Sequence, residues 1–203
     1  LKDRVLWPLI HWLPLKGIPL IYWTKGANLD DADSRLKYLL FNYVHRRCDR
    51  LILYSPHEMK YLTQANRRKA YVANNTINFE DFPAIAESRE AIKREFQVPF
   101  EKVVLSVGRM DVGGQRKKID HLIEVFRRTR LPGAGLVIVG AGVSGELQAR
   151  MNRANTIYLG EIYDARNIRI SKIFRMADLF CIPGHVGLGL VQALHFGLPV
   201  VTE

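Results

Sequence analysis

Three glycine-rich loops in this 203-residue chain carry the residue types that bind phosphate. The first runs from Gly108-Arg109-Met110 to Arg116-Lys117-Lys118-Ile119-Asp120. An arginine there follows a glycine that ends an apolar run, and a lysine pair precedes a helix. Arginine offers a planar fork to phosphate oxygens and lysine a mobile point charge. Two such cations at one sheet edge suit a diphosphate leaving group. The second loop, Gly184-His185-Val186-Gly187-Leu188-Gly189, opens a helix, where backbone N–H groups and the helix dipole favour an anion. The third, Gly140-Ala141-Gly142-Val143-Ser144-Gly145, matches G-x-G-x-x-G, with Glu161 near the end of the next strand. That is much of a dinucleotide fingerprint, and its rival function is an NAD-dependent oxidoreductase. A fourth segment, Gly160-Glu161-Ile162-Tyr163-Asp164, is small and acidic enough to let a nucleoside base approach the backbone. The plain alternative for each is a tight turn or a solvated basic loop.

Such loops share an edge only if a parallel sheet carries them. The second half alternates accordingly. Strands are expected at 103–107, 135–139, 156–159, 178–182 and 198–202, with helices at 119–130, 145–153, 170–176 and 188–196. Leu122, Ile123 and Phe126 should face the core. Continuous apolar strands alternating with helices predict a parallel sheet covered on both faces. The first half alternates more weakly. It reads as an amphipathic helix over 1–13 with Trp7 and Trp12, a strand at 18–23, and a helix capped by Ser34 that runs to Arg47. Leu36, Leu39, Leu40, Tyr43 and Val44 recur on one face of that helix. A strand at 49–54 follows, then a helix over 56–64 opened by the capping box Ser55-Pro56-His57-Glu58, and a strand at 70–73. Ser88 to Phe96 is expected to be a short polar helix. These elements divide into residues 1–83, a segment 84–97 that links and contains the connecting helix, and residues 98–203.

Composition bounds the rest. The hydrophobic fraction of 48% and charged fraction of 25% are those of a soluble globular protein. The opening residues lack the long apolar core of a signal peptide. Cys48 and Cys181 are distant and sit in apolar contexts, as free buried thiols of a reducing compartment would. The histidines lack metal-ligand spacing, so no metal is expected. Net charge is +10, with basic clusters at Arg46-Arg47, Arg67-Arg68-Lys69, Arg116-Lys117-Lys118, and Arg127-Arg128 with Arg130. No aromatic-interleaved nucleic-acid motif accompanies them. The charge, with Trp7 and Trp12, points to an anionic membrane surface as a partner. The chain begins without Met and ends on an apolar strand, so a fragment is expected.

The order of the loops resembles family-4 retaining glycosyltransferases, the glycosyl transferases group 1 of GT-B fold. Val107-Gly108-Arg109-Met110 with Lys117-Lys118-Ile119-Asp120 is similar to that family's Gly-Arg…Lys-Gly-hydrophobic-Asp motif, with Lys118 where the family has Gly. Leu159-Gly160-Glu161-Ile162 resembles its base-binding loop, and Met176-Ala177-Asp178-Leu179-Phe180 the strand before its donor loop. The resemblance implies an α/β protein of GT-B type, with two Rossmann-like doubly wound parallel-sheet domains, both incomplete. Residues 1–83 would then end the acceptor-side domain, and residues 98–203 would bind the donor. It implies a retaining hexosyltransferase-type enzyme that moves sugar from a nucleotide-diphosphate sugar to a glycan or lipid-linked acceptor. Polysaccharide biosynthesis in the cytoplasm, at the inner face of the membrane, would be its setting. No cofactor beyond the sugar nucleotide is implied. Arg109 and Lys117 inherit the catalytic, diphosphate-stabilising role. Donor contacts fall to Gly108, Lys118, Glu161, Ile162, Gly184, His185, Gly187, Leu188, Gly189 and Gln192. The family carries two glutamates flanking the donor loop, one for the sugar and one for the ribose. Gly184 and Gln192 stand in those places. Gln192 keeps hydrogen-bonding atoms, whereas Gly184 supplies no carboxylate, so a non-catalytic nucleotide-sugar-binding homologue is the alternative.

Overall fold

The structure is a computed structural model that describes residues 5–27, 34–110, 117–129, 131–151 and 155–202. The chain forms two compact units, Leu1–Asn75 and Thr76–Glu203.

The first unit is a three-stranded parallel sheet, β1 (Ile21–Thr24), β2 (Arg50–Leu53) and β3 (Ala70–Val72), in that order. Helices α1 (Leu6–Leu15) and α2 (Arg35–Arg47) cover one face, where Ile10, Val44 and Cys48 meet Leu51 and Leu53. Ser34 caps α2, its hydroxyl accepting from the Lys37 amide. The expected helix at 1–13 is found at Leu6–Leu15, and residues 1–4 lie outside the described ones. Of the apolar residues expected to recur on one face of α2, Val44 is buried, with Asn42 and His45, while Leu36 and Leu39 are exposed. The helix expected over 56–64 is a 3-10 segment, Pro56–Tyr61, followed by a separate α3 (Gln64–Arg67). Leu62 turns extended between them to bury its side chain, and Thr63 caps a new start. The capping box holds: the Glu58 carboxylate accepts from the Tyr54 and Ser55 amides at 2.7 and 3.3 Å.

The second unit begins with a 3-10 turn, Phe79–Asp81, and α4 (Arg89–Glu95), capped by Ser88. The rest alternates: β4 (Lys102–Val107), α5 (Ile119–Arg128), β5 (Ala134–Val139), α6 (Gly145–Met151), β6 (Thr156–Tyr158), α7 (Ile168–Met176), β7 (Leu179–Ile182), α8 (Leu188–His195) and β8 (Val200–Thr202). The segment 84–97 packs into this unit: Ile92 and Phe96 join its core, and Arg89 bonds the Met176 and Ala177 carbonyls and Asp178.

All five strands are parallel, in the order β6-β5-β4-β7-β8. In chain order this is 3-2-1-4-5, a doubly wound sheet whose direction of winding reverses between β4 and β7. Each face has its own core. Ile170, Ile173, Phe174 and Ala193 of α7 and α8 cover Val103, Leu105, Val137 and Phe180. Ile119, Leu122, Ile123 and Phe126 of α5 cover Leu136 and Ile138 on the other face, each burial contributing roughly 1.5–3 kcal/mol. Both cysteines are buried and unpaired, and burial pushes the Cys48 thiol up to about 11.

Candidate functional site

Doubly wound sheets bind ligands outside the carboxyl ends of their strands, where the winding reverses. Here that place is bounded by the loops after β4 and β7. A cleft of about 230 Å³ opens there, lined by Gly108 and Arg109 after β4, Gly140 and Ala141 after β5, Glu161 and Ile162 after β6, and Gln192 of α8. Five residues expected at the donor site therefore share one cleft: Gly108, Arg109, Glu161, Ile162 and Gln192. Val107, Val139, Asn167 and Ile170 complete the lining. Asn167 was not anticipated. It sits at φ +52°, before α7, and its amide nitrogen donates to the Asp81 carbonyl at 3.3 Å. Asparagine tolerates that left-handed conformation, and its place after Asp164 in a turn was the available signal.

Lys117 joins the two loops. Its Nζ donates to the His185 carbonyl at 2.5 Å. A side chain added at Gly187 would begin 3.4 Å from that nitrogen, and one at Gly108 3.8 Å from it. The ammonium thus stands between the β4 and β7 loops. Gly187 itself is extended (φ −151°), a conformation open to any residue. Gly189 is needed for packing, since a Cβ there would meet the Val107 carbonyl oxygen at 2.9 Å. Lys118 does not line the cleft. It begins α5 in the left-handed region (φ +53°), which accounts for glycine being the family's residue there. Gly184, His185, Gly187 and Leu188 belong to the β7 loop and the first turn of α8, with His185 and Leu188 exposed. Residues 111–116, including Arg116, lie outside the described ones, as do Arg130 and Asn28.

The G-x-G-x-x-G segment has a structural explanation. Gly140 (φ +142°) is so close to the β4 loop that a Cβ would lie 1.8 Å from the Gly108 carbonyl oxygen. At Gly142 (φ +88°) it would lie 1.9 Å from that of Met110. The Met110 amide donates to the Ala141 carbonyl at 2.7 Å. The Tyr158 hydroxyl donates to the Gly140 carbonyl at 2.6 Å, and its pKa is raised by burial and by the nearby Glu161 charge. These glycines clamp two loops together. Among the described residues, no group of three or more His, Cys, Asp or Glu could hold a metal ion.

Two parallel-sheet α/β units, the second with a glycine-rich cleft at the carboxyl ends of its strands, define a protein of the GT-B fold class. The profile of the Glycosyl transferases group 1 family matches residues 101–203, and the chain belongs to that family. Solved structures share the fold. HepE of Anabaena, in complex with UDP and glucose, superposes with a TM-score of 0.74 at 18% identity, over 98% of this chain and 56% of HepE. WaaG, a glycosyltransferase involved in lipopolysaccharide biosynthesis, gives 0.65 at 19% identity, over 90% and 55%. TarM of S. aureus, in complex with UDP and α-GlcNAc-glycerol, gives 0.65 at 15%, over 97% and 39%. The chain thus spans little more than half the length of HepE and WaaG. No curated protein sequence matches it.

Proposed function

We propose that the cleft binds a nucleotide-diphosphate sugar and serves its transfer, with retention of configuration, to a glycan or lipid-linked acceptor in cytoplasmic polysaccharide biosynthesis. One observation carries the reading: Arg109 lines the cleft at the end of β4, and the Lys117 ammonium, close to Gly108, donates to the His185 carbonyl of the β7 loop. As the nucleotide diphosphate leaves, negative charge grows on its β-phosphate oxygens. Arg109, Lys117 and the N–H groups near Gly187 to Gly189 at the start of α8 are the groups that would stabilise it. Glu161, Ile162 and Gln192 line the same cleft, and the nucleoside would contact them. Gln192 would hold the ribose hydroxyls. The backbone at Gly184 and the side chain of His185 would take over from the missing carboxylate. Structures of HepE contain UDP-glucose, which makes UDP the first probe to try.

Gly184 also favours a second reading, a homologue that binds the nucleotide sugar without transferring it. Calorimetric titration with UDP, GDP and UDP-glucose tests both. Binding of a nucleoside diphosphate, weakened roughly 10- to 150-fold by Arg109→Ala, is expected from the loss of one charge-assisted contact. No binding, or binding undiminished in that variant, refutes the site. Binding with neither transfer nor hydrolysis of the sugar by the full-length protein selects the second reading.

A further inference from the structure

On the reading of the cleft as a sugar-nucleotide site, its end farthest from the diphosphate receives the base. Arg109, at the end of β4, marks the diphosphate end. The other end is built by Gly140 and Ala141 after β5, Glu161 and Ile162 after β6, and Asn167 before α7. Neighbouring strands lie about 4.8 Å apart, so β6 stands about 10 Å across the sheet from β4. A nucleoside extended from a diphosphate at β4 carries its base toward Glu161 and Asn167.

The hydrogen-bonding groups at that end are unevenly mixed. The Tyr158 hydroxyl is committed to the Gly140 carbonyl at 2.6 Å. The Ala141 carbonyl is taken by the Met110 amide. Asn167 Nδ2 donates to the Asp81 carbonyl at 3.3 Å, which turns the nitrogen end of the amide toward Asp81. Oδ1 is that amide's unbonded acceptor. Glu161 is exposed and makes no ion pair among the described residues. Its carboxylate stands near the Tyr158 hydroxyl, whose pKa is raised first by burial and then by the Glu161 charge. Two acceptors, one of them charged, are thus left at the base end.

Acceptors distinguish the bases by their edges. Guanine presents two adjacent donors, N1–H and the 2-amino group. Uracil presents one N–H between two carbonyl oxygens, which face a carboxylate unfavourably. Adenine and cytosine each set an amino donor beside a ring acceptor. Only guanine meets two acceptors with two donors, and a polar group left facing its like loses the bond and keeps the desolvation cost. The apolar Val139, Ile162 and Ile170 of the same cleft suit the faces of a flat ring.

We propose that the cleft selects guanine, Glu161 and Asn167 Oδ1 accepting from N1–H and the 2-amino group, so that the sugar donor is a GDP-sugar. Glu161 and Asn167 then set specificity, while Arg109 and Lys117 serve the diphosphate whatever the base.

Calorimetric titration of the full chain with GDP, IDP and UDP tests it. GDP should bind roughly a hundredfold tighter than UDP, about tenfold for each acceptor. IDP, whose base lacks the 2-amino group, should bind roughly tenfold more weakly than GDP. Glu161→Gln and Asn167→Gly should each lower the ratio of GDP to UDP affinity by roughly tenfold. Glycine is the replacement at 167 because it accepts the left-handed backbone there, at φ +52°. Arg109→Ala should weaken GDP and UDP by the same factor and leave their ratio unchanged. GDP no tighter than UDP, GDP and IDP alike, or a preference for GDP that both specificity variants retain overturns the guanine assignment while the diphosphate site stands. Binding of none of the three refutes the site itself, and the assignment with it.

Discussion

Replacing the glycines of the G-x-G-x-x-G segment one at a time separates a packing role from a ligand-binding one. At Gly140 an alanine methyl would stand 1.8 Å from the Gly108 carbonyl oxygen and 2.7 Å from its carbon, with φ at +142°. At Gly142 the corresponding oxygen is that of Met110, at 1.9 Å, with φ at +88°. Both neighbours are backbone, so nothing flexible can yield. Backbone strain of about 1–3 kcal/mol and a forced main-chain shift of about 1–3 kcal/mol together give roughly 2–6 kcal/mol at either site. That is a large share of a typical domain stability of about 5–15 kcal/mol. Gly145 is different. It opens α6, has no left-handed φ, and a Cβ there meets nothing within 4 Å. Alanine at 145 should be neutral or stabilise by up to about 1 kcal/mol, through the unfolded chain. Because Gly140 and Gly142 press on the same loop, the double variant should cost less than the sum of the singles. Urea unfolding followed by far-ultraviolet circular dichroism, at constant m-value, measures all four. Gly140→Ala and Gly142→Ala both within about 0.5 kcal/mol of wild type would refute the clamp. The glycines would then be free to admit a dinucleotide, and NADH fluorescence would become the next measurement.

Two further perturbations probe titrating groups. His45 is fully buried, and burial, helped by the Lys69 charge, lowers its pKa to about 4. The unfolded chain takes up the proton near 6.5, so stability is full above that pH and declines as pH falls toward 4, by up to about 3 kcal/mol. All three tryptophans lie in residues 1–75, so their emission reports this unit, and His45→Gln should flatten its urea midpoint across that window. At Asp178, burial raises the pKa, but the Val103 amide at 2.9 Å and Arg89 at 2.9 Å outweigh it and hold the carboxyl below its ordinary value. Its contribution is therefore present above pH of about 4 and lost as pH falls through the lower folded value. Asp178→Asn should cost roughly 1.5–3 kcal/mol at neutral pH, with the deficit shrinking in acid, as thermal melts across pH would show.

Much of the architecture was readable because its signals are local. Ser34, Ser88 and the Ser55–Glu58 pair announce helix starts through hydrogen bonds to amides three residues away, and each is found in place. The five strands of the second unit are short apolar runs ended by turn residues, and their parallel arrangement follows from alternation with helices. What escaped depends on distant partners. The apolar stripe of α2 could be read as a stripe, but nothing nearby in sequence says that the sheet takes Val44 of it and leaves Leu36 and Leu39 exposed. The contact between Lys117 and the His185 carbonyl joins residues 68 positions apart. The glycine fingerprint shows the limit most sharply. A glycine is required wherever something comes too close for a side chain, and a pyrophosphate or another peptide bond imposes that demand equally. The letters at 140 and 142 record the close approach, and only the Gly108 and Met110 carbonyls opposite them say what approached. The same letter at 189 answers to the Val107 carbonyl. Spacing of glycines alone is thus ambiguous between a packed loop and a bound anion, and it is the cations Arg109 and Lys117 beside these loops that support the diphosphate site proposed above.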